Sequence, residues 1–491
     1  MTSAVKTSIP TSPSSASSRP RFAWAISLSL AAALGATWGL VEPRGPVTGA
    51  QAVLVMVSTA LLGWLGGRWT ASRAAAALLP PAFLLGFELA RRTSGLPTVA
   101  PFDPGSEFGL LAIALGRVVP WLLAGVPLVV GAWWGSRRVQ PRRPVALVAG
   151  SAALALLAGW LVVPPVPDPV HTAGGFAELV PVELGGHRQW IEIRGTDRRN
   201  PVLLYLSGGP GQSDLAFSRV ILEPLLDEVT IVGWDQRGTG KSYPALDESS
   251  LTLERAVGDV VELARYLTLR FGQPRVYLLG ESWGSILGVL AVQRAPGLFA
   301  AYIASGQMVD VLETDTAIYT DLISAAMRDG DGALVAELAT LRPPPYPSVF
   351  DYGRIMTLYP LLEGSYSPPP EYRERAAAGN VGPLGILGAE YDPIEKLNVL
   401  RGLMDMFSVM YPQLQEVDLR QSVTSLDVAV IVLSGDHELA ARVAPAREWY
   451  DRLRAPGKQW HALPDAGHSV AFEQAGELRR ILAEEVPPIR G

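Results

Sequence analysis

Five apolar stretches occupy most of the first 163 residues and confine this part of the chain to a membrane or a fully buried setting. They run over about 22–41, 50–67, 74–90, 109–135 and 145–163. A helix needs about 17–25 apolar residues to cross a bilayer. The first, fourth and fifth stretches meet this need, the second is acceptable, and the third is short and contains Pro80-Pro81. We predict a disordered tail at 1–20, rich in Ser, Thr and Pro, and then a membrane domain of about five transmembrane helices at 21–163.

Charge divides the chain at the same place. Residues 1–163 contain 13 of the 41 Lys and Arg residues but only 4 of the 47 Asp and Glu residues, although the whole chain has a net charge of −6. A basic, apolar front followed by an acidic rear of ordinary composition predicts a membrane domain joined to a globular one. The chain has no cysteine, which excludes a disulfide framework, thiolate catalysis and Cys-ligated zinc.

The basic residues of the short loops predict the orientation in the membrane. With the N-terminus inside, the inside segments hold nine Lys and Arg residues and the outside loops hold three. Such an excess marks the cytoplasmic side, so five crossings place everything after residue 164 outside the cytoplasm. If the third stretch does not cross, the globular domain lies in the cytoplasm instead. The first stretch also fits a signal peptide, with small residues at 33–36, but its length and the spans after it favour an uncleaved helix.

The rest of the chain has the pattern of an open α/β sheet. A Pro-rich linker at 164–175 leads to two alternating segments, Glu178–Leu184 and Gln189–Ile193, which predict a hairpin around Gly185-Gly186. Short apolar runs typical of buried parallel strands then alternate with helical patterns: Val202–Leu206, Val229–Gly233, Val276–Leu279, Ala301–Ala304 and Val428–Leu433. The long, Pro-rich stretch at 306–425 breaks this alternation, and we predict a helical insertion over the strand ends, within a domain at 176–491.

A serine lies at the turn where one of these strands meets a helix. The sequence Gly280-Glu281-Ser282-Trp283-Gly284 follows the buried strand at 276–279 and precedes the helical run at 286–295. This is the setting of a nucleophile elbow, in which a sharp turn exposes the serine and leaves no room for side chains two positions before and after it. We predict that Ser282 is a nucleophile. The alternative is a Gly-Ser turn with no chemistry.

A serine nucleophile needs a histidine base, and the base needs a carboxylate to orient it. Asp436 follows the strand at 428–434 after a single glycine, Gly435, and His468 follows the apolar segment at 460–464, so both are expected at the carboxyl edge of the sheet. We predict Asp436 as the acid and His468 as the base. Glu438 and Asp465 are the alternative acids. The other histidines are less suitable by position: His171, His187, His437 and His461.

Two further glycine-containing motifs surround the predicted site. Backbone N–H donors for an oxyanion are expected from Trp283, after the nucleophile, and from Gly209 in the Ser207–Gly211 loop after the strand at 202–206. The run Trp234–Ser242 lacks the spacing of a phosphate-binding loop, which argues against nucleotide binding. For Asp235 and Arg237 in that run we predict structural hydrogen bonds around the site.

Together, the motifs S-G-G-P-G, W-D-Q-R-G-T-G-K-S, G-E-S-W-G-S, S-G-D and A-G-H resemble the signature series of the proline iminopeptidase (prolyl aminopeptidase) branch of the α/β-hydrolases. The resemblance covers roughly residues 175–491 and implies a serine peptidase with a helical cap. It implies Glu390 in the cap as a carboxylate for the substrate ammonium group. Ser207 stands where the family usually has His, and Glu281 where it has Gly. The membrane front is not part of the usual family pattern.

These observations predict a multi-pass protein of the cell membrane whose α/β-hydrolase domain lies on the extracytoplasmic side and releases N-terminal residues from short peptides through an acyl-enzyme. No cofactor and no metal are expected, and no nucleic acid partner. The expected partners are a peptide or acyl-ester substrate and the lipid bilayer, and the sequence does not set the oligomeric state. The alternatives are an esterase or lipase-like hydrolase of acyl esters and a non-catalytic membrane sensor or transporter with a hydrolase-like domain.

Overall fold

The computed structural model describes residues 18–92, 95–99, 104–138 and 144–489, and most of the predicted disordered tail lies outside these residues. The described chain forms two compact units. The helical unit contains residues 18–46, 50–92, 118–138 and 144–160, and the sheet unit contains residues 47–49, 95–99, 104–117 and 161–489. The sheet unit therefore includes two short segments from the part of the chain that the sequence assigns to the membrane domain.

All five apolar stretches are helical. In chain order the helices are α1 (Ser18–Val41), α2 (Gly49–Thr70), α3 (Ala75–Ala90), α4 (Glu107–Ile113), a π-helical turn (Ala114–Val118), α5 (Val119–Gly135) and α6 (Pro144–Leu161). Among the described residues, three helices are long and apolar enough to cross a membrane: Arg21–Val41, Gly49–Thr70 and Glu107–Gly135. Ala75–Ala90 and Val145–Leu161 are apolar but shorter. We expected the fifth stretch to be long enough to cross a membrane. In its described part, however, it is a shorter apolar helix, like the third stretch.

Small residues allow the helices of the helical unit to pack closely. A β-carbon added to Gly35 of α1 would lie 2.0 Å from the carbonyl oxygen of Phe83 in α3, and one added to Gly63 of α2 would lie 2.1 Å from that of Leu128 in α5. The same close approach recurs four residues later, at Gly39 and Gly67. Two glycines at this spacing are typical of close helix contacts in membranes.

The sheet unit is built around an eight-stranded sheet, which confirms the predicted α/β class. The strands are β1 (Phe176–Leu184), β2 (His187–Gly195), β3 (Val202–Leu206), β4 (Thr230–Asp235), β5 (Val276–Glu281), β6 (Phe299–Ser305), β7 (Ala429–Gly435) and β8 (Lys458–Leu463). Their order in the sheet is β1-β2-β4-β3-β5-β6-β7-β8. β2 is antiparallel to both of its neighbours, and the strands from β4 to β8 in this order are mutually parallel.

The predicted hairpin is confirmed, because Leu184 pairs with His187 across a two-residue turn. Gly185 and Gly186 in this turn have φ values of +55° and +75°. Two consecutive residues with positive φ define the turn type that matches the twist of a hairpin, and glycine adopts this conformation most readily.

Helices cover both faces of the sheet and bury alternate residues of each strand. Leu204, Leu278 and Val432 belong to the apolar core on one face, and Leu203, Leu279 and Ile431 to the core on the other. The helices outside the β6–β7 connection are α7 (Leu215–Ile221), α8 (Leu253–Phe271), α9 (Trp283–Arg294), α17 (Ala440–Arg452), α18 (Val470–Glu473) and α19 (Ala475–Glu484). Strands buried on both faces explain the continuous apolar runs in the sequence.

The connection between β6 and β7 forms the cap. It contains α10 (Val311–Arg328), α11 (Gly332–Leu341), α12 (Val349–Met356), α13 (Pro360–Glu363), α14 (Pro370–Ala378), α15 (Pro393–Leu414) and α16 (Leu419–Ser422). The linker before the sheet has no helix or strand from 163 to 171. Within the sheet unit, the Asp168 carboxylate of this linker lies 2.8 Å from the Arg219 guanidinium of α7.

Candidate active site

Ser282 lies in a strained turn between β5 and α9. Its φ and ψ are +51° and −117°, which a residue with a side chain rarely adopts. A β-carbon added to Gly280 would lie 2.4 Å from the carbonyl oxygen of Gly284, and one added to Gly284 would lie 2.2 Å from that of Leu206. Both positions therefore require glycine, and the predicted strand–serine–helix turn is confirmed.

Ser282 and His468 line the same cavity at the carboxyl edge of the sheet. No hydrogen bond to Ser282 Oγ is formed within the described residues, and in catalytic sites such bonds often tighten only when substrate binds. The cavity walls are mainly apolar and aromatic. They comprise Gly209, Pro210, Trp283, Ile286, Met308, Val311, Tyr352, Phe407, Tyr411, Leu414 and Arg442.

The carboxylate that contacts the base is Glu438, so the prediction of Asp436 was wrong. His468 Nδ1 is hydrogen-bonded to Glu438 Oε2. The Asp436 side chain is 49% exposed and faces His437, with 3.6 Å between Oδ1 and Nε2. The chain turns immediately after β7, which ends at Gly435, and this turn directs the residue three positions beyond the strand, rather than the first, toward His468.

Arg442 holds the second carboxylate oxygen of Glu438. Its Nη1 lies 2.9 Å from Glu438 Oε1, and both side chains are largely buried. Burial opposes ionisation of Glu438, but the His468 imidazole and the Arg442 guanidinium outweigh it and lower the pKa of this carboxyl group to about 2. Glu438 is therefore an anion at neutral pH. Glu438 and Arg442 are four positions apart in the sequence, a spacing that allows an ion pair on one face of a helix, and this spacing could have indicated the pair.

The predicted oxyanion loop is the Ser207–Gly211 segment. Its geometry fits the roles predicted for Gly209 and Trp283, which both line the cavity beside Ser282. Gly209 has a φ of +112°. Trp283 is the first residue of α9, so no carbonyl of its own helix accepts its backbone N–H. A β-carbon at Gly208 would lie 3.4 Å from that of Ser282, which shows how closely this loop approaches the serine.

Gln236 connects the predicted oxyanion loop to α9, a contact that no motif in the sequence indicated. Its Nε2 donates to the carbonyl oxygen and to Oγ of Ser207, both at 3.1 Å. Its Oε1 accepts from Trp283 Nε1 at 2.9 Å. The side chain thus fixes Ser207, two residues before Gly209, relative to the helix that begins after Ser282.

The predicted structural hydrogen bonds of Asp235 and Arg237 are confirmed. Asp235 accepts from the backbone N–H of Lys241 at 2.7 Å and from the Tyr391 hydroxyl of the cap at 3.2 Å. Arg237 donates to both carboxylate oxygens of Asp259 on α8, at 2.9 and 3.1 Å. These contacts fix the loop after β4.

Comparisons with known proteins support the α/β-hydrolase fold. A family model for the alpha/beta hydrolase fold matches residues 201–333, which include the oxyanion loop and the Ser282 turn. The probable aminopeptidase YbaC of Bacillus subtilis (strain 168) is 26% identical over 294 residues, which cover 60% of this chain and 91% of that protein. This chain has the α/β-hydrolase fold and is similar to prolyl aminopeptidases.

Two other similar proteins are named as proline iminopeptidases or related to them. The probable proline iminopeptidase of Streptomyces coelicolor is 29% identical over 202 residues, which cover 40% of the hydrolase chain and 57% of that protein. The solved structure of a proline iminopeptidase-related protein from Thermus thermophilus is 23% identical, with a TM-score of 0.43, and the match covers 63% of this chain and 96% of that one.

Glu390 of the hydrolase is not positioned as expected for substrate recognition. Its side chain is fully buried and ion-paired with Arg219 of α7, and it does not line the cavity that contains Ser282. Arg219 also pairs with Asp168 of the linker. The structure therefore gives Glu390 a structural ion pair, and its predicted role as the ammonium-binding carboxylate was wrong.

Asp315 is a cap carboxylate connected to the cavity wall. It lies on α10, one turn after Val311, and its Oδ2 accepts from the Tyr411 hydroxyl at 2.8 Å. Val311 and Tyr411 both line the cavity. Burial raises the pKa of Asp315 to about 7, although Tyr411 and the Arg442 charge favour the ionised form.

Glu281, one of the two departures from the family pattern, belongs to a buried acidic pair. The Tyr205 hydroxyl lies 2.8 Å from Asp214 Oδ2 and 3.2 Å from Glu281 Oε2. One hydroxyl proton cannot serve two carboxylates, so one carboxyl group must donate its own proton. Burial and the Asp214 charge raise the pKa of Glu281 to about 8, whereas burial raises that of Asp214 to about 6. Glu281 is therefore the protonated partner at pH 7.

Proposed function

We propose that this protein is a membrane-anchored serine hydrolase that releases N-terminal residues from short peptides. The observation that carries the proposal is the convergence of Ser282, at a strained strand–helix turn, and His468, paired with Glu438, on one cavity. The resemblance to relatives named as aminopeptidases supports the peptide substrate. The long apolar helices support the membrane anchor.

In the proposed reaction, Ser282 Oγ attacks the carbonyl carbon of the first peptide bond while His468 Nε2 accepts the hydroxyl proton. Glu438 orients the imidazole and stabilises its cationic form. The backbone N–H groups of Gly209 and Trp283 stabilise the oxyanion. The imidazolium then gives its proton to the leaving amine, and a water molecule, deprotonated by His468, hydrolyses the acyl-enzyme.

We propose that Asp315 recognises the free N-terminus of the substrate in place of Glu390, because Asp315, although itself buried behind the cavity wall, is hydrogen-bonded to Tyr411, which lines the cavity. A substrate ammonium group near Asp315 would favour its ionised form and form a charge-assisted hydrogen bond. The aromatic walls formed by Tyr352, Phe407 and Tyr411 suit an apolar N-terminal side chain or a proline ring.

Hydrolysis of acyl esters is the second candidate, because none of the described residues that line the cavity is acidic. An uncharged acyl group would bind such a surface without a partner for an ammonium group. The test uses the full-length protein in detergent or nanodiscs, with prolyl-naphthylamide, other aminoacyl-naphthylamides and p-nitrophenyl esters as substrates. Turnover of the amides supports the aminopeptidase, whereas turnover of esters alone favours the esterase. Full activity of the Ser282→Ala variant would refute both.

We also propose that the sheet unit lies outside the cytoplasm, as the distribution of basic residues in the loops predicts. This proposal requires that α3 crosses the membrane. Its 16 residues span about 24 Å, which is less than the usual hydrocarbon thickness of about 30 Å. A labelling experiment that decides the side is described in the Discussion.

A further inference from the structure

The segments 47–49, 95–99 and 104–117 belong to the sheet unit, although they come from the N-terminal part of the chain that contains the apolar helices. The last of them includes α4 and the beginning of the fourth apolar stretch. All three segments contact cap helix α15 (Pro393–Leu414). The usual family pattern has no counterpart of these segments, because they belong to the added N-terminal part of the chain. Their contacts with α15 therefore lie outside the family pattern that the motifs resemble.

Thr98 forms the most specific of these contacts. Its backbone N–H donates to Asp405 Oδ1 at 3.0 Å, and its hydroxyl donates to Asp405 Oδ2. Asp405 is fully buried on α15. Its Oδ2 also accepts from the Tyr243 hydroxyl at 2.6 Å, and Tyr243 directly follows the Trp234–Ser242 run. One carboxylate thus joins the segment, the cap and the loop after β4.

A second set of contacts extends the interface along the same helix. Arg401 Nη2 donates to the carbonyl oxygen of Leu115 at 3.0 Å, and Asn398 Nδ2 donates to that of Val47 at 2.8 Å. Leu115 also packs with Met404 in a small apolar cluster. Arg401 and Asn398 are fully buried, so the hydrogen bonds that the segments provide offset the cost of removing these polar groups from water.

The opposite side of α15 faces the catalytic cavity. Phe407, Tyr411 and Leu414 line this cavity and follow one another at helical spacing. Asp405 and Phe407 are two positions apart, which is about 200° around a helix. The helix therefore separates the segments from the substrate cavity, and a shift of α15 would change the position of the cavity wall.

We propose that the segments 47–49, 95–99 and 104–117 act as a positioning element of the cap, in which Thr98 and Asp405 hold α15 at the distance from Ser282 that substrate binding requires. The inference deepens the proposed function and rests on it. Through this element, residues outside the hydrolase family pattern control substrate affinity without touching the substrate or the reacting atoms.

The test compares Thr98→Val and Thr98→Ser in the full-length protein. Valine removes the hydroxyl donor and keeps the backbone donor and the shape, whereas serine keeps both donors. We expect the valine variant to raise KM several-fold for aminoacyl-naphthylamides with kcat within twofold, and the serine variant to restore KM. Thr268→Val on α8 is the matched control, because the Thr268 hydroxyl is exposed and bonds only within its own helix.

Hydrogen exchange separates failure of this inference from failure of the proposed function. Thr98→Val should speed amide exchange in α15 but not in α8, whether or not the protein cleaves peptides. Labelling of Ser282 by a fluorophosphonate should proceed at nearly the wild-type rate, because the triad is intact. Unchanged KM together with unchanged amide exchange in α15 would overturn the inference. Equally faster exchange in α15 and α8 would also overturn it, because it would indicate only a loss of global stability.

Discussion

Glu438 lies between His468 and Arg442, with one carboxylate oxygen toward the imidazole and the other toward the guanidinium. The ion pair with Arg442 fixes both the orientation of the Glu438 carboxylate and its negative charge, because the Arg442 side chain is nearly buried and remains cationic. Asp436, two residues earlier, lies half exposed beside His437 instead. Of these two neighbouring acids, Glu438 is therefore the one that contacts the proposed base, His468.

Replacing Glu438 with Gln should lower kcat/KM by about 10³–10⁴-fold, because the amide no longer stabilises the cationic imidazole. Asp436→Asn is the matched control and should keep activity within twofold. The measurement is steady-state hydrolysis of the best substrate by each variant at pH 7 to 8. A large loss in Asp436→Asn with little loss in Glu438→Gln would restore the acid that the sequence first suggested.

The stability of the protein should fall as the pH rises from about 5 to 9, in part because of Glu281. Its pKa is about 8 in the folded protein and near 4.5 in an unfolded chain, so the folded state binds the extra proton between these values. By linkage, this contribution is complete below pH 4.5 and is lost as the pH passes through 8. Other buried acids with a raised pKa, such as Asp315, add to the same trend.

Glu281→Gln removes this titration and should make the apparent melting temperature less dependent on pH between 5 and 9. The groups that face Glu281 are Tyr205, Asp214, Ser469 and Glu473. A glutamine keeps a donor for this cluster, so the variant should fold. Thermal unfolding in one detergent across the pH range provides the measurement, and an unchanged pH dependence in Glu281→Gln would contradict the assignment of the proton.

Gly284→Ala should disrupt the nucleophile turn. The added methyl group would lie 2.2 Å from the carbonyl oxygen of Leu206, so the strand or the helix must move, at a cost of about 1–3 kcal/mol. We expect a lower melting temperature and slower fluorophosphonate labelling of Ser282. Gly297→Ala is the control, because no atom lies within 4 Å of a β-carbon there. Equal behaviour of the two variants would show that the turn tolerates a side chain.

Asp315→Asn and Glu390→Gln should separate substrate recognition from structure. If Asp315 binds the substrate ammonium group, its neutralisation raises KM about 10-fold or more for free-amine substrates and leaves ester hydrolysis nearly unchanged. Glu390→Gln leaves the Arg219 charge without its buried partner, and we expect a loss of about 3 kcal/mol in stability with little change in KM. Equal effects of Asp315→Asn on amides and esters would reject its role.

Labelling of single introduced cysteines can decide on which side of the membrane the sheet unit lies, because the chain has no cysteine of its own. Leu269 on α8 is 79% exposed, and Ala74 lies in the exposed turn between α2 and α3. In intact cells, a membrane-impermeant maleimide should label Leu269→Cys but not Ala74→Cys. The opposite pattern, or labelling of neither site before lysis, would place the sheet unit in the cytoplasm.

Much of the fold and part of the site could be predicted because they depend on local patterns. Buried strands between helices specify the α/β class, and the two glycines around Ser282 specify the sharp turn. Asp436 was preferred over Glu438 because it lies next to the strand. The directions of the Asp436 and Glu438 side chains, however, depend on the turn after Gly435 and on the ion pair with Arg442. Proximity to the strand in the sequence therefore did not predict which carboxylate contacts His468.

The apolar helices, the strands and the sharp turn around Ser282 could be predicted from the amino-acid sequence, because each depends on residues that are close to one another along the chain. Three contacts became known from the folded structure alone: that of Glu438 with His468, that of Glu390 with Arg219, and that of Thr98 with Asp405 of the cap. The last two contacts join residues 171 and 307 positions apart. Such contacts arise when distant elements pack together, and the spacing of residues along the chain does not encode them.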